Sequence, residues 1–205
     1  MKSQGKTASV VRREPTQRRA LQTVEAVLDA VVRVLKVHGV EGVTTNRIAE
    51  VAGVSIGSVY QYFPDKRAIF TALHDRHVAQ VSRVIDATLV EQASSSLDDF
   101  VRALITTLVR AHTSDPELHE VIATAPHGGE GARSLEMRLR KTFMLAITSR
   151  SRGGVAARDL DRMLFVLPHV VEALVHGAVH RRPAKMSVGV ATEEAIKAVI
   201  ACLRA

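Results

Sequence analysis

The 205-residue chain contains one cysteine, no tryptophan and aromatic residues at only 3% of positions. A single thiol, Cys202, forms no internal disulfide framework, and this fits a reducing, cytoplasmic setting. No run of about 18 apolar residues free of charge stands out, so no segment is read as a membrane span. The basic N-terminus is not followed by the apolar stretch of a secretory signal. Sustained period-two alternation of β-branched residues between turn signals is also missing, which leaves an all-α chain. The few aromatics are unevenly placed. Tyr60, Tyr62, Phe63 and Phe70 fall together, leaving Phe100, Phe143 and Phe165 for the remainder.

What is abundant is aliphatic and basic. Apolar residues make up 46%, enough for a full core, and the net charge is +7. Much of the excess lies at the start, where Lys2, Lys6, Arg12, Arg13, Arg18 and Arg19 face only Glu14. Residues 1–17 lack an apolar period and read as a disordered basic arm, either a solubilising tail or a counter-charge for nucleic-acid phosphates.

From residue 18 onward the spacing is helical. Leu21, Val24, Leu28, Val31 and Leu35 predict a helix over 18–38, stopped by Gly39. A short helix over 45–52 has Thr44 as its N-cap, with Arg47 and Glu50 facing out. Gly53-Val54-Ser55 forms a turn, and a helix over 56–62 ends before Pro64. Asp65 caps a helix to about 92, roughly 40 Å at 1.5 Å per residue. Helices follow over about 97–113, a short stretch between Pro116 and Pro126, 131–151, 157–181 and 190–204. The organisation expected is an arm at 1–17, a small helical domain at 18–66 and a larger helical domain at 67–205.

The stretch 44–66 carries the chemistry. Ile48, Ala49 and Ala52 give the first short helix an apolar face with two small residues, so a second helix can cross closely. Gly53 supplies positive φ, Val54 plugs the core beneath the turn and Ser55 caps the next helix. Val59 and Phe63 anchor that helix inward, leaving Gly57, Ser58, Gln61 and Tyr62 outward with Ile56 and Tyr60 flanking. Tyrosine hydroxyls bond phosphate oxygens, Gly57 admits a close backbone approach, and Gln61 and Asn46 can read base edges. A helix-turn-helix presents its second helix to the DNA major groove in this way.

The pattern Thr45-x-Arg47-Ile48-Ala49-x-x-Ala52-Gly53-Val54-Ser55-x-Gly57-Ser58-Val59-Tyr60-x-Tyr62-Phe63-Pro64-x-Lys66 resembles the tetracycline-repressor (TetR) family over about residues 20–70. The resemblance implies phosphate contacts by Thr45 and Lys66 and backbone contacts by Tyr60 and Tyr62. It puts Asn46, Ser55, Ile56, Gly57, Ser58 and Gln61 at base- or backbone-facing positions, and Arg47 joins the candidate set. Ile56 departs from the Lys, Arg or Pro common in relatives and would favour a thymine methyl. The implied function is a ligand-responsive repressor working as a dimer on a palindromic operator. The alternative is an effector-independent architectural or division-coordinating protein of the same fold.

Other constellations are weaker. Gly53-Val54-Ser55-Ile56-Gly57 matches a hydrolase nucleophile elbow, but a helix precedes it where the elbow needs a strand, so no enzyme is expected. His169, Glu172, His176 and His180 share a late helix without a metal-binding signature, so neither metal nor cofactor is expected. An effector cavity in the second domain draws on Phe100, Leu104, Leu108 and His112, on Met137, Phe143 and Met144, and on Phe165, His169 and Glu172. Pro168 is expected to open the helix beside His169. So few aromatics favour a small apolar or weakly polar effector. A homodimer is expected through the last two helices, by way of Leu160, Met163, Leu164, Val170, Leu174, Ala178, Val190, Ala195, Val199 and Leu203.

Overall fold

A computed structural model describes residues 18–113, 118, 130–150 and 156–204. The basic arm, all of the stretch 115–126 but Leu118, the glycine loop at 127–129 and Gly153-Gly154 lie outside the described residues. The described residues form α1 (Arg18–His38), α2 (Thr45–Ala52), α3 (Ile56–Tyr62), α4 (Lys66–Glu91), α5 (Leu97–Thr113), α6 (Glu130–Arg150), α7 (Ala157–His176), a π-helical turn (Gly177–Arg181) and α8 (Val188–Arg204), with no strand among them.

The chain divides into two compact units, and the division falls inside α4 between Arg76 and His77. In the first unit, Val27, Leu28, Val31, Val34 and Leu35 of α1 meet Ile48 and Ala49 of α2, Val59 of α3 and Phe63. Ala68, Ile69 and Leu73, from the first turns of α4, are buried in that same core. Arg76 closes the unit's edge, donating to Glu25 at 3.1 Å and Asp29 at 2.6 Å.

The second unit has its own core. Phe100, Leu104 and Ile105 of α5, Phe143 and Ile147 of α6, Leu167 and Val171 of α7, and Ile196 and Val199 of α8 are buried together. At its rim the Arg150 guanidinium lies over the Phe100 ring, 5.0 Å from the centroid, and donates to the Ser95 carbonyl at 3.0 Å. It thereby ties the end of α6 to the loop after α4.

Two expectations, on Pro168 and on the dimer residues, are corrected here. The stretch Asp159–Arg181 is long and apolar enough, by length and composition, to cross a membrane. Its apolar face is taken up by the core, where Leu164, Leu167, Val171, Val175 and Ala178 are buried. Pro168 does not open α7, which runs unbroken through it. The irregularity comes later, at the π turn Gly177–Arg181, where Arg182 donates to the Val179 carbonyl at 2.6 Å. Lastly, Leu164, Ala178, Ala195 and Val199 are buried within the protomer, and Leu160, Met163, Val170, Leu174 and Leu203 pack against the same core. Those residues serve the fold of one chain. Of the expected set, α8 leaves Val190 exposed, and α7 adds the exposed Phe165.

Candidate nucleic-acid interface

The geometry of 44–66 follows from its caps. Thr44 Oγ1 accepts from the Arg47 amide at 3.2 Å and starts α2. Gly53 ends it at φ +68°, and the next amide, that of Val54, returns to the Ala49 carbonyl at 3.0 Å. This left-handed close satisfies helix-end carbonyls that would otherwise be bare. Ser55 Oγ accepts from the Ser58 amide at 3.0 Å and starts α3, while Asp65 Oδ1 accepts from the Ala68 amide at 2.8 Å and starts α4. Three successive helices are thus each set by a side chain readable in the sequence.

The fully buried Ile48, Val59 and Phe63 hold α2 and α3 inward. Ile56, Gly57, Tyr60 and Gln61 face solvent, with Ile56 38% and Tyr60 42% exposed. Asn46 is exposed, and the half-buried Thr45 shares a hydrogen bond between its Oγ1 and the Tyr60 hydroxyl at 3.3 Å. That bond joins the start of α2 to α3, so two residues predicted to meet phosphate form one edge. Ser55 and Ser58 are also linked, hydroxyl to hydroxyl, at 2.8 Å. A Cβ placed on Gly57 would meet only Ser55 Oγ, at 3.8 Å. Nothing in the chain itself demands glycine there.

Two outward assignments are corrected. Tyr62 is buried, at 9% exposure, in the core of the first unit. One position after Gln61, it has turned far enough round the helix to pack inward. Arg47 is half-buried and turns back, its Nη1 donating to the Gly42 carbonyl at 2.8 Å. Lys66 is half-buried as well. Its Nζ donates to the Val40 carbonyl at 3.3 Å and stands 5.3 Å from the Phe70 ring centroid. An ammonium has three donors, so this anchoring leaves capacity for an anion. The anchoring was invisible in the sequence because Val40 and Lys66 are 26 positions apart.

The electrostatics fit a polyanion. Among the described residues, no acidic side chain occupies the first turn of α1, α2, α3 or α4. At α2 and α3 the capping groups are the neutral hydroxyls of Thr44 and Ser55, so the partial positive charge of those N-terminal amides is not offset by a carboxylate, whereas Asp65 caps α4. Arg18 and Arg19 open α1, and Lys66 and Arg67 open α4.

In the second unit, a cavity of about 20 Å³ is lined by Val81, Leu108, His112, Leu135, Leu139, Val171, Glu172, Val175 and His176. Leu108, His112 and Glu172 of the expected set lie on it. Phe100, Leu104 and Phe143 are fully buried core. Met137, Met144 and Phe165 point away, at 65%, 38% and 68% exposure, and His169 is exposed beside the Phe165 ring at 5.5 Å. These four are corrected as cavity residues, because each sits on the solvent side of its helix.

An all-helical chain with a capped helix-turn-helix and a separate helical unit is the architecture of a DNA-binding regulator. Residues 27–73 match the bacterial regulatory proteins of the tetR family, and residues 96–203 match the tetracyclin repressor-like C-terminal domain. The chain belongs to the tetR family of bacterial transcription regulators. Over 120 residues it is 29% identical to the nucleoid occlusion factor SlmA of Haemophilus ducreyi, covering 58% of each chain. Over 100 residues it is 30% identical to the HTH-type transcriptional repressor AcnR of Corynebacterium diphtheriae, covering 49% of this chain and 45% of that one. The chain therefore spans about half the length of the curated relatives it matches. A TetR-family transcriptional regulator from Streptomyces coelicolor shares the fold with a TM-score of 0.64 at 20% identity, over 89% of this chain and 98% of that one.

Proposed function

We propose that this chain is a cytoplasmic repressor rather than an enzyme, binding a palindromic operator as a homodimer with one α3 in each major-groove half-site. The observation that carries the reading is the exposed edge of Ile56, Gly57, Tyr60 and Gln61, set beside the starts of α2 and α3, which hold no acidic residue in cap or first turn. Tyr60, Thr45 and Lys66 hold phosphates; Gln61 and Asn46 meet base edges; Ile56 meets a thymine methyl. Selection of bound duplexes from a random pool tests this and is expected to return an inverted repeat. Affinity for the selected duplex is expected to fall steeply with salt. Lys66→Ala is expected to lower the magnitude of the log–log slope by about 1, because one phosphate is no longer neutralised by the protein. Recovery of no preferred sequence, or an unchanged slope, refutes the assignment.

The effector reading is an aliphatic or weakly polar molecule with one group that hydrogen-bonds to histidine. It enters beside His112 and Glu172 by displacing the aliphatic wall of the cavity. A second reading, effector-independent DNA binding of an architectural or division-coordinating kind, is favoured by the 29% identity over 120 residues to the nucleoid occlusion factor SlmA of Haemophilus ducreyi. Thermal-shift screening of fatty-acid-like, lactone-like and cationic dye ligands separates the two, since a ligand that binds only the folded state raises Tm. A fatty-acid-like or lactone-like hit that also releases the operator supports the first reading. No hit supports the second, and hits among dyes alone overturn the proposed ligand class.

A further inference from the structure

The loop joining α1 to α2, residues 39–44, is exposed at Gly39, Val40, Glu41 and Thr44, yet it is held at several points. Val43 plugs the core of the first unit at 1% exposure. Its amide donates to the Val40 carbonyl at 3.2 Å, and the Lys66 ammonium reaches the same carbonyl at 3.3 Å. Arg47 binds the loop twice. Its amide donates to Thr44 Oγ1 at 3.2 Å, and its Nη1 donates to the Gly42 carbonyl at 2.8 Å. Gly42 in turn lies against the last turn of α1. A Cβ built there would overlap the His38 Cβ and come within 2.6 Å of the His38 carbonyl oxygen. Neither neighbour is the movable tip of a side chain, so a larger residue must displace the loop. The φ of Gly42 is not in the left-handed region, and the demand for glycine is one of close approach.

This clamp lies immediately before the α3 edge. Thr44 ends the loop and caps α2, and the next residue, Thr45, shares the 3.3 Å bond with the Tyr60 hydroxyl. We propose that Arg47 and Gly42 are positioning residues for DNA binding, which fix this loop and through it the Thr45–Tyr60 edge, and that Arg47 itself neutralises no phosphate. The inference rests on the exposed α3 edge being the DNA-binding surface. The two cations that hold the loop differ in how they are placed. The bond of Lys66 to Val40 is solvent-exposed, and an ammonium keeps two further donors that can turn to an anion. The bond of Arg47 to Gly42 is shorter and partly buried, and binding one arm of a rigid guanidinium sets the direction of the rest.

The test compares the full-length wild type with Arg47→Met, Arg47→Lys, Gly42→Ala and Lys66→Ala, in anisotropy titrations over a range of salt against the selected duplex and a scrambled one. Arg47→Met is expected to weaken the selected duplex about tenfold, as for one misplaced contact, with a much smaller loss on the scrambled duplex. Its log–log salt slope is expected to match that of wild type. Arg47→Lys, which keeps a donor for the Gly42 carbonyl, is expected to recover part of the loss. Gly42→Ala changes no charge and is expected to reproduce the loss with the slope intact. A slope lower by about 1 for Arg47→Met, as expected of Lys66→Ala, makes Arg47 a phosphate ligand and overturns the proposal. Equal losses on both duplexes, the mark of a partly unfolded protein, overturn it as well, as does wild-type affinity in Arg47→Met.

Nuclear magnetic resonance spectra of the DNA-free protein give a readout that does not depend on DNA. Arg47→Met is expected to shift the amide and ring resonances of Tyr60, which is 13 positions away and linked to the loop through Thr45. Unmoved Tyr60 resonances overturn the proposal. If those resonances move while wild type prefers no duplex, the clamp stands and the DNA-binding reading falls.

Discussion

Two tyrosines two positions apart illustrate how a residue's role depends on helical phase. Tyr60 is 42% exposed and bonded to Thr45, whereas Tyr62 is buried. Tyr60→Ala is therefore expected to weaken operator binding at least tenfold and leave melting nearly unchanged. Tyr62→Ala is expected to destabilise the first unit by about 3 kcal/mol, as for a large aromatic removed from a core. Urea melts and fluorescence-anisotropy titrations of both variants check the pair, and similar losses of stability would contradict it. Gly57 gives a sharper separation. Because a Cβ there meets only Ser55 Oγ at 3.8 Å, Gly57→Ala is expected to stabilise α3 by about 0.5 kcal/mol through helix propensity. The same methyl intrudes where a phosphate would approach, so operator affinity is expected to drop. A variant that is both more stable and tighter-binding would remove Gly57 from the interface.

At the scale of elements, the first unit is organised by its ends. Thr44, Ser55 and Asp65 fix where α2, α3 and α4 begin, and Gly53 fixes where α2 stops. A Cβ on Gly53 meets nothing within 4 Å, so the demand for glycine there comes from its φ of +68° alone. Gly53→Ala is expected to cost about 1 kcal/mol of stability, measured by urea unfolding, as an L-residue is forced into the left-handed region. These caps are local in sequence, which is why α2 and α3 could be bounded from residues alone. The aliphatic stripes of α7 and α8 were less legible. Helical spacing shows that a face is apolar but not what covers it, and the protomer's own core takes Leu164, Ala178, Ala195 and Val199.

At the scale of the whole molecule, a dimer must use surface that the protomer leaves open. Phe165 is 68% exposed, with His169 and Glu172 on the same side of α7. Phe165→Glu is expected to shift the sedimentation equilibrium toward monomer while preserving helicity. It should also weaken binding to a palindrome far more than binding to a single half-site, because two heads no longer act together. A stable Phe165→Glu dimer would move the interface elsewhere.

The sequence by itself determined the helix class, the bounds of the DNA-binding helices and the side chains that cap them. Each of these is a short-range matter of period, φ and one hydrogen bond. It also marked Gly57 and Gln61 as outward by helical phase relative to Val59 and Phe63, a reading that failed for Tyr62. Only the tertiary structure decided that Lys66 reaches Val40 and that Arg76 reaches Glu25 and Asp29. It alone brought His77 to His112, and His112 to His176. Those partners are far apart along the chain, and their meeting depends on how whole helices pack, which no local pattern encodes.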